Sequence, residues 1–298
     1  TADDLLVSRV PRGLTEDQLE QDALLFPVRP ALRYIPSSLD PDGSSGGQEW
    51  AADNPPYGAV FSYFLQEGLQ SLRAKRQEAE GQLEKDEEPV PYPAWDDLRA
   101  EEREETPQIL LTVRTTAGEV VRRLSAGTSR GLHRVSWDLR WPGTSPVSPV
   151  DATEESPWQS VGSGPLAVAG EYTVEMHKRV GGQETLLAGP VTFQVEDLDL
   201  NPMAGDQDAK LAFELEVQDL ARRVEGAGRE HHLAKDRLAR LRVAAAAVAE
   251  PEMQSRIATL ENQLRDLWIV LSGDQTISRR NEAVPASIRE RLGRVSWG

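Results

Sequence analysis

The chain has 298 residues and a formal net charge of −16, because 49 acidic side chains outnumber 33 basic ones. This balance argues against a general nucleic-acid or anionic-membrane surface, since phosphate binding needs concentrated Lys and Arg. The absence of cysteine excludes disulfides, zinc–thiolate sites and iron–sulfur clusters, and the four histidines leave few ways to build a transition-metal site. The apolar run at 243–249 is too short for a membrane span, and the length suggests about two domains.

The first 53 residues predict an irregular N-terminal segment, rich in Pro and Gly, that wraps over something else. Thr15 and Gln18 have the spacing of a capping box, which predicts a short helix running to Leu24 and Leu25. The sequence opens at Thr1 without a methionine or an apolar leader. We expect either that a segment was removed or that this is the tail of a longer chain, and the residues leave both open.

Residues 54–200 contain short runs of β-branched and aromatic residues or of alternating polarity, as expected for strands. The predicted strands are 59–65, 109–114, 119–124, 131–139, 170–176 and 191–195. Gly181 and Gly182 predict a hairpin turn, and the charged stretch 66–105 predicts a helical insertion. Six or seven short strands separated by turns predict a β-sandwich.

After residue 200 the apolar period changes from two to about 3.5 residues, the spacing of packed helices. Alternate steps of four and three run from Phe213 to Val248, and the same spacing runs from Ile257 to Leu271. Two such rows, separated at Pro251, predict an antiparallel helical hairpin over 201–272.

Glycines and turn residues suggest two further features of the C-terminal part. Gly226 and Gly228 predict a bend or break in the first helix, because glycine in a helix interior costs about 1 kcal/mol relative to alanine. Residues 273–298 predict a tail of turns, with a last short helix near 287–292.

The titratable side chains predict no catalytic, cofactor-binding or metal-binding residue. Adjacent His231 and His232 point about 100° apart on a helix, so packing is favoured over chelation of one metal. His133 and His177 lack the neighbouring Ser or Cys of a nucleophilic site. For Asp138, accepting backbone N–H groups at a strand end is favoured over membership of a glycosidase carboxylate pair.

Two tryptophans are the candidate ligand-binding residues. Trp141 and Trp158 lie in a long Pro-, Ser- and Gly-rich loop at 141–165, and aromatic rings can stack on sugar rings. Carbohydrate binding is therefore the alternative to a purely structural role.

Several segments together carry a family resemblance. They are 53–65, 118–122, 131–140, 169–174, 271–274 and 285–288. Their order resembles the C-terminal region of exported bacterial proteins that carry sortilin-like β-propellers, often labelled glycosyl hydrolases with bacterial neuraminidase (BNR) repeats. The strand motifs are also similar to the immunoglobulin-like domain of flagellar hook-capping proteins and of secretion-system C-terminal modules.

The resemblance covers roughly residues 50–292 and implies a multi-domain α+β protein. It implies an immunoglobulin-like β-sandwich at 54–200 and the helical hairpin after it, while residues 1–35 look like the exit from a propeller blade. The propeller's own Ser-x-Asp-x-Gly-x-x-Trp boxes are absent, so a glycosidase label would belong to the propeller and no catalytic residue carries over.

The implied function is a non-catalytic interaction module of a secreted, periplasmic or cell-surface bacterial protein, with no cofactor. The implied partners are a β-propeller domain or subunit, and other proteins of an extracellular complex. The alternative is a carbohydrate-binding accessory module or part of a glycoside hydrolase.

Overall fold

The computed structural model describes residues 15, 20–34, 57–145, 164–198, 205–248 and 250–296. The predicted combination of β-strands with a helical C-terminal region is confirmed. The chain divides into two compact units, one formed by Thr1–Arg140 with Ala167–Ala204 and the other by Trp141–Leu166 with Gly205–Gly298. Within the described ranges, no helix is both long enough and apolar enough to cross a membrane.

The described part of the first unit forms two sheets. Its strands are β1 (Ala23–Leu25), β2 (Ala31–Arg33), β3 (Ala59–Leu65), β4 (Gln108–Thr115), β5 (Val120–Ala126), β6 (Gly131–Trp137), β7 (Gly170–Val180) and β8 (Gln183–Asp197). One sheet has the order β1-β3-β6 and the other the order β2-β8-β7-β4-β5. Neighbouring strands are antiparallel except β2 and β8, which are parallel.

Two strands lie inside the segment that the sequence predicts to be irregular. The expected helix reaching Leu24 and Leu25 is wrong at its end, because Ala23–Leu25 is β1 and pairs with the edge of β3. The residues between Thr15 and Glu20 lie outside the described ranges. An unpaired strand edge offers a row of backbone N–H and C=O groups to another segment. Pairing with this edge places Leu25 in the core, a tertiary gain that outweighs the local preference of the capping residues for a helix.

Aromatic side chains connect the two sheets. The rings of Phe61 on β3 and Phe193 on β8 lie 5.4 Å apart, and those of Trp137 on β6 and Tyr172 on β7 lie 5.5 Å apart. All four side chains are buried. Alternation along each strand therefore places one face of each sheet in a shared core, as the period of two predicts.

The charged insertion between β3 and β4 contains two helices, α1 (Leu72–Lys85) and α2 (Trp95–Arg103). The hydroxyl of Ser71 accepts a hydrogen bond from the backbone N–H of Ala74, which caps α1. Neither helix has a buried residue, so charged contacts, not a core, hold this insertion together.

The described part of the second unit is mainly helical: α3 (Gln207–Val248), α4 (Pro251–Ser272), α5 (Gln275–Ser278) and α6 (Ile288–Ser296). Pro251 occupies the first turn of α4, where its missing N–H costs nothing. Leu238 and Ala245 of α3 pack against Ile257 and Leu264 of α4. Contacts join later residues of α3 to earlier residues of α4, so the two helices are antiparallel, as the repeated apolar spacing predicts.

The predicted break at Gly226 and Gly228 is wrong, since α3 runs through both without interruption, while the alternative of a bend stays a prediction. Gly228 is buried, and the guanidinium group of Arg289 from α6 occupies the space that a side chain at this position would need. Glycine lowers the local stability of the helix at this position, but only glycine leaves room for the contact with Arg289.

Candidate interaction surface

The residues considered for catalysis have structural contacts. Asp138 accepts a hydrogen bond from the backbone N–H of Arg140 at 3.1 Å, the strand-end role that its position favours. The ring of His133 stacks on Tyr63, and its Nε2 lies 2.6 Å from the carbonyl oxygen of Ser129. Nε2 of His177 lies 3.9 Å from a carboxylate oxygen of Glu175. Within the described ranges, no three metal-binding side chains come together.

Of the two candidate sugar-stacking residues, Trp141 lies within the described ranges. Trp141 is only 7% exposed, and its backbone N–H donates to the carbonyl oxygen of Pro165 at 2.9 Å. Trp158, with most of the 141–165 loop, lies outside the described residues. A ring buried to this degree offers little surface to a sugar, and carbohydrate binding stays a prediction.

His231 and His232 take part in an aromatic cluster where α3, α4 and α6 meet. The ring of His231 stacks on Trp268 at 4.5 Å, that of His232 meets the same indole edge-on at 5.0 Å, and the guanidinium of Arg289 lies 5.3 Å from its centre. His231 Nε2 contacts the carbonyl oxygen of Leu264 at 3.1 Å. The two histidines pack α3 against α4, as their adjacent positions favour.

The helical pair has an extensive apolar surface exposed to solvent. Seven large side chains that repeat at the same seven-residue spacing as the buried ones are 47–68% exposed. We define the apolar face as Phe213, Leu220, Ala227, Ala234, Leu241 and Val248 of α3 with Met253, Leu260 and Leu267 of α4. Surfaces of this kind mark interaction sites more often than isolated exposed leucines do.

Both rows of the apolar face lie on one side of the helical pair. Each row precedes the buried contact row of its own helix by four residues, as Leu220 precedes Val224 and Leu260 precedes Leu264. A step of four residues back turns a side chain by the same angle about the axis of either helix. Because the two helices are antiparallel, these equal turns place both rows on the same side of the pair. The opposite side is covered, because Gly228 and Trp268 contact Arg289 there.

A row of exposed charges borders the apolar face on α3. Glu216, Arg223, Glu230 and Arg237 follow one another at seven-residue spacing, and their signs alternate. This spacing keeps them on one line along the helix, beside the apolar row. The border is therefore neither acidic nor basic as a whole, in contrast to the net charge of the chain.

No protein-family model matches the chain, and no curated protein or solved structure is similar enough to count as a match.

The apolar face is the feature that the sequence pattern left undivided. Steps of four and three from Phe213 combine two rows, of which the row through Leu238 and Ala245 is buried against α4. α4 packs against one side of α3, along the row of Leu238 and Ala245, and leaves the neighbouring row of Leu241 and Val248 exposed. Apolar spacing alone does not separate the two rows.

Proposed function

We propose that this chain is a non-catalytic interaction module whose binding surface is the apolar face of the helical pair. The observation that carries this proposal is the exposure of seven large apolar side chains in two aligned rows. Complete burial of a fully exposed side chain of this size contributes about 1.5–3 kcal/mol. These side chains are 47–68% exposed, so a partner that covers them gains roughly half of that for each one.

The family resemblance supplies the wider setting of the proposal. An immunoglobulin-like sandwich with a helical hairpin would accompany a sortilin-like β-propeller, in the same precursor or as a separate subunit, in a secreted, periplasmic or cell-surface bacterial protein. Two facing sheets with an aromatic core are compatible with such a sandwich. Size-exclusion chromatography of a native extract should show a propeller polypeptide that elutes with this chain, and elution as a lone monomer would contradict this setting.

The binding surface itself is tested by site-specific photo-crosslinking in the native organism. A photoreactive amino acid replaces Leu260 on the apolar face and, as the matched control, Leu233, which is 45% exposed on α3 away from that face. We expect covalent products from position 260 and few from position 233, identified by mass spectrometry. Equal yields at both positions, or no product at 260, would overturn the proposal.

A further inference from the structure

We propose that the partner on the apolar face is a second copy of this chain, with the two α3 helices antiparallel and a two-fold axis near Ala227. This inference rests on the proposed function, because it names the occupant of the same surface. Three independent properties of α3 fit this arrangement: its length, the sizes of its apolar residues and the order of its border charges.

The lengths of the two helices leave half of α3 without α4 beside it. Arg242 lies 3.4 Å from Glu261, and His231 contacts Leu264, so successive residues of α4 run back along the C-terminal half of α3. With 22 residues against 42, α4 ends near the middle of α3. A two-fold axis at that point brings the first half of each α3 alongside the helical pair of the other copy.

Two kinds of apolar pair meet in this arrangement, one of a large with a small side chain and one of two large side chains. An axis at Ala227 places Leu220 opposite Ala234 of the second copy, and Phe213 opposite Leu241. The ion pair between Arg242 and Glu261 shows that the adjacent residues Leu241 and Leu260 lie at the same height along the helical pair. Phe213 of the second copy would pack between these two leucines. The small side chain on the axis allows the two helices to approach closely, as in other tightly packed helix pairs.

The border charges are self-complementary in the same register. When α3 is paired with an antiparallel copy, Glu216 lies opposite Arg237 of the second chain and Arg223 lies opposite Glu230. Each pairing occurs twice because of the two-fold axis. A shift of seven residues would place like charges opposite each other, such as Glu216 and Glu230, so the charge order selects one register.

Charge reversal tests this arrangement on the full chain, with the mass in solution measured by sedimentation equilibrium. We expect the wild type to be dimeric at micromolar concentration. Arg223→Glu and Glu230→Arg should each weaken dimerisation roughly 10- to 30-fold, because two symmetry-related attractive pairs become repulsive. Arg223→Glu also removes the ion pair of Arg223 with Asp219 in its own helix, so Glu230→Arg is the cleaner of the two single variants. An equal mixture of the two single variants should restore dimers, since every pair across the axis is then attractive. Arg240→Glu, an exposed reversal away from the face, is the matched control and should leave the mass unchanged.

A monomeric wild type would overturn the inference, and so would single variants that remain monomeric when mixed. Recovery on mixing cannot arise from misfolded chains, so a restored dimer does not depend on assuming that each variant folds. A failure to recover counts against the inference only when the circular dichroism of each single variant matches that of the wild type. The crosslinking products separate this inference from the proposed function. Crosslinks that join two copies of this chain support the proposed function and the dimer. Crosslinks to a different polypeptide overturn only the dimer, and the absence of any product at position 260 overturns both proposals.

Discussion

A methyl group added to Gly228 would lie 2.3 Å from Nη2 of Arg289, whereas one added to Gly226 would meet no atom within 4 Å. The two glycines lie two residues apart in the interior of the same helix, so their intrinsic helix propensities are equal. Any difference between them therefore measures the contact that joins α6 to α3.

Alanine substitutions at these two glycines should have different effects on stability. Gly226→Ala should raise the free energy of unfolding by about 1 kcal/mol, because alanine loses less backbone entropy in a helix. Gly228→Ala should gain clearly less, since Arg289 must leave its position over Trp268. Urea denaturation of both variants provides the measurement, and equal gains would show that the Arg289 contact contributes nothing.

Trp137 should be among the most sensitive core positions. Its side chain is fully buried between the sheets, and its indole N–H donates to the carbonyl oxygen of Arg140 at 3.0 Å. Trp137→Ala should lower the free energy of unfolding by about 3–5 kcal/mol. Trp95→Ala is the control, because Trp95 is 67% exposed and its loss should change stability by about 0.5 kcal/mol or less. Chemical denaturation compares them, and similar losses would place Trp137 outside the core.

Tyr63 should make the first unit sensitive to alkaline pH. Burial raises the pKa of its phenol from 10.0 to about 12, and the hydroxyl donates to the carbonyl oxygen of Gly127 at 2.7 Å. Because the folded state resists ionisation, its stability is fully present below pH 10 and falls as the pH rises from 10 towards 12. Tyr63→Phe should flatten this fall, at a cost of about 1 kcal/mol at neutral pH from the lost hydrogen bond. Thermal melting across this pH range is the measurement, and an unchanged pH profile would contradict the assignment.

The insertion should loosen in acid through one ion pair. The guanidinium of Arg76 on α1 binds both carboxylate oxygens of Glu101 on α2, at 2.6 and 2.9 Å, and also contacts Glu80. These hydrogen bonds lower the pKa of Glu101 from its ordinary value of 4.5. The contribution of this ion pair to stability is therefore present above pH 4.5 and is lost as the pH falls through the lowered pKa.

Hydrogen exchange of α1 and α2 tests this prediction. Exchange should increase when Glu101 becomes protonated, and Glu101→Gln should show the loosened pattern already at neutral pH. Arg99→Ala is the control, because its ion pair with Asp96 lies within α2 and does not join the two helices. An insertion that is unaffected by Glu101→Gln would show that the other contacts between these helices suffice.

Local sequence patterns determined much of this fold. An aromatic and β-branched run marked Ala59–Leu65 as a strand, and Gly181 and Gly182 marked the turn between β7 and β8. The apolar spacing and Pro251 located two antiparallel helices. These features depend on side-chain periodicity and on backbone preferences within a few residues, which can be read along the chain.

Only the tertiary structure decided which surfaces are covered. Ala23–Leu25 became a strand because β3 offered an unpaired edge, and α3 continues through Gly228, where Arg289 fills the space beside the glycine. Periodicity shows which side chains are apolar, but burial depends on the side of the helix against which the neighbouring element packs. For that reason the same spacing holds Leu238 in the core and leaves Leu241, three residues later, exposed on the apolar face.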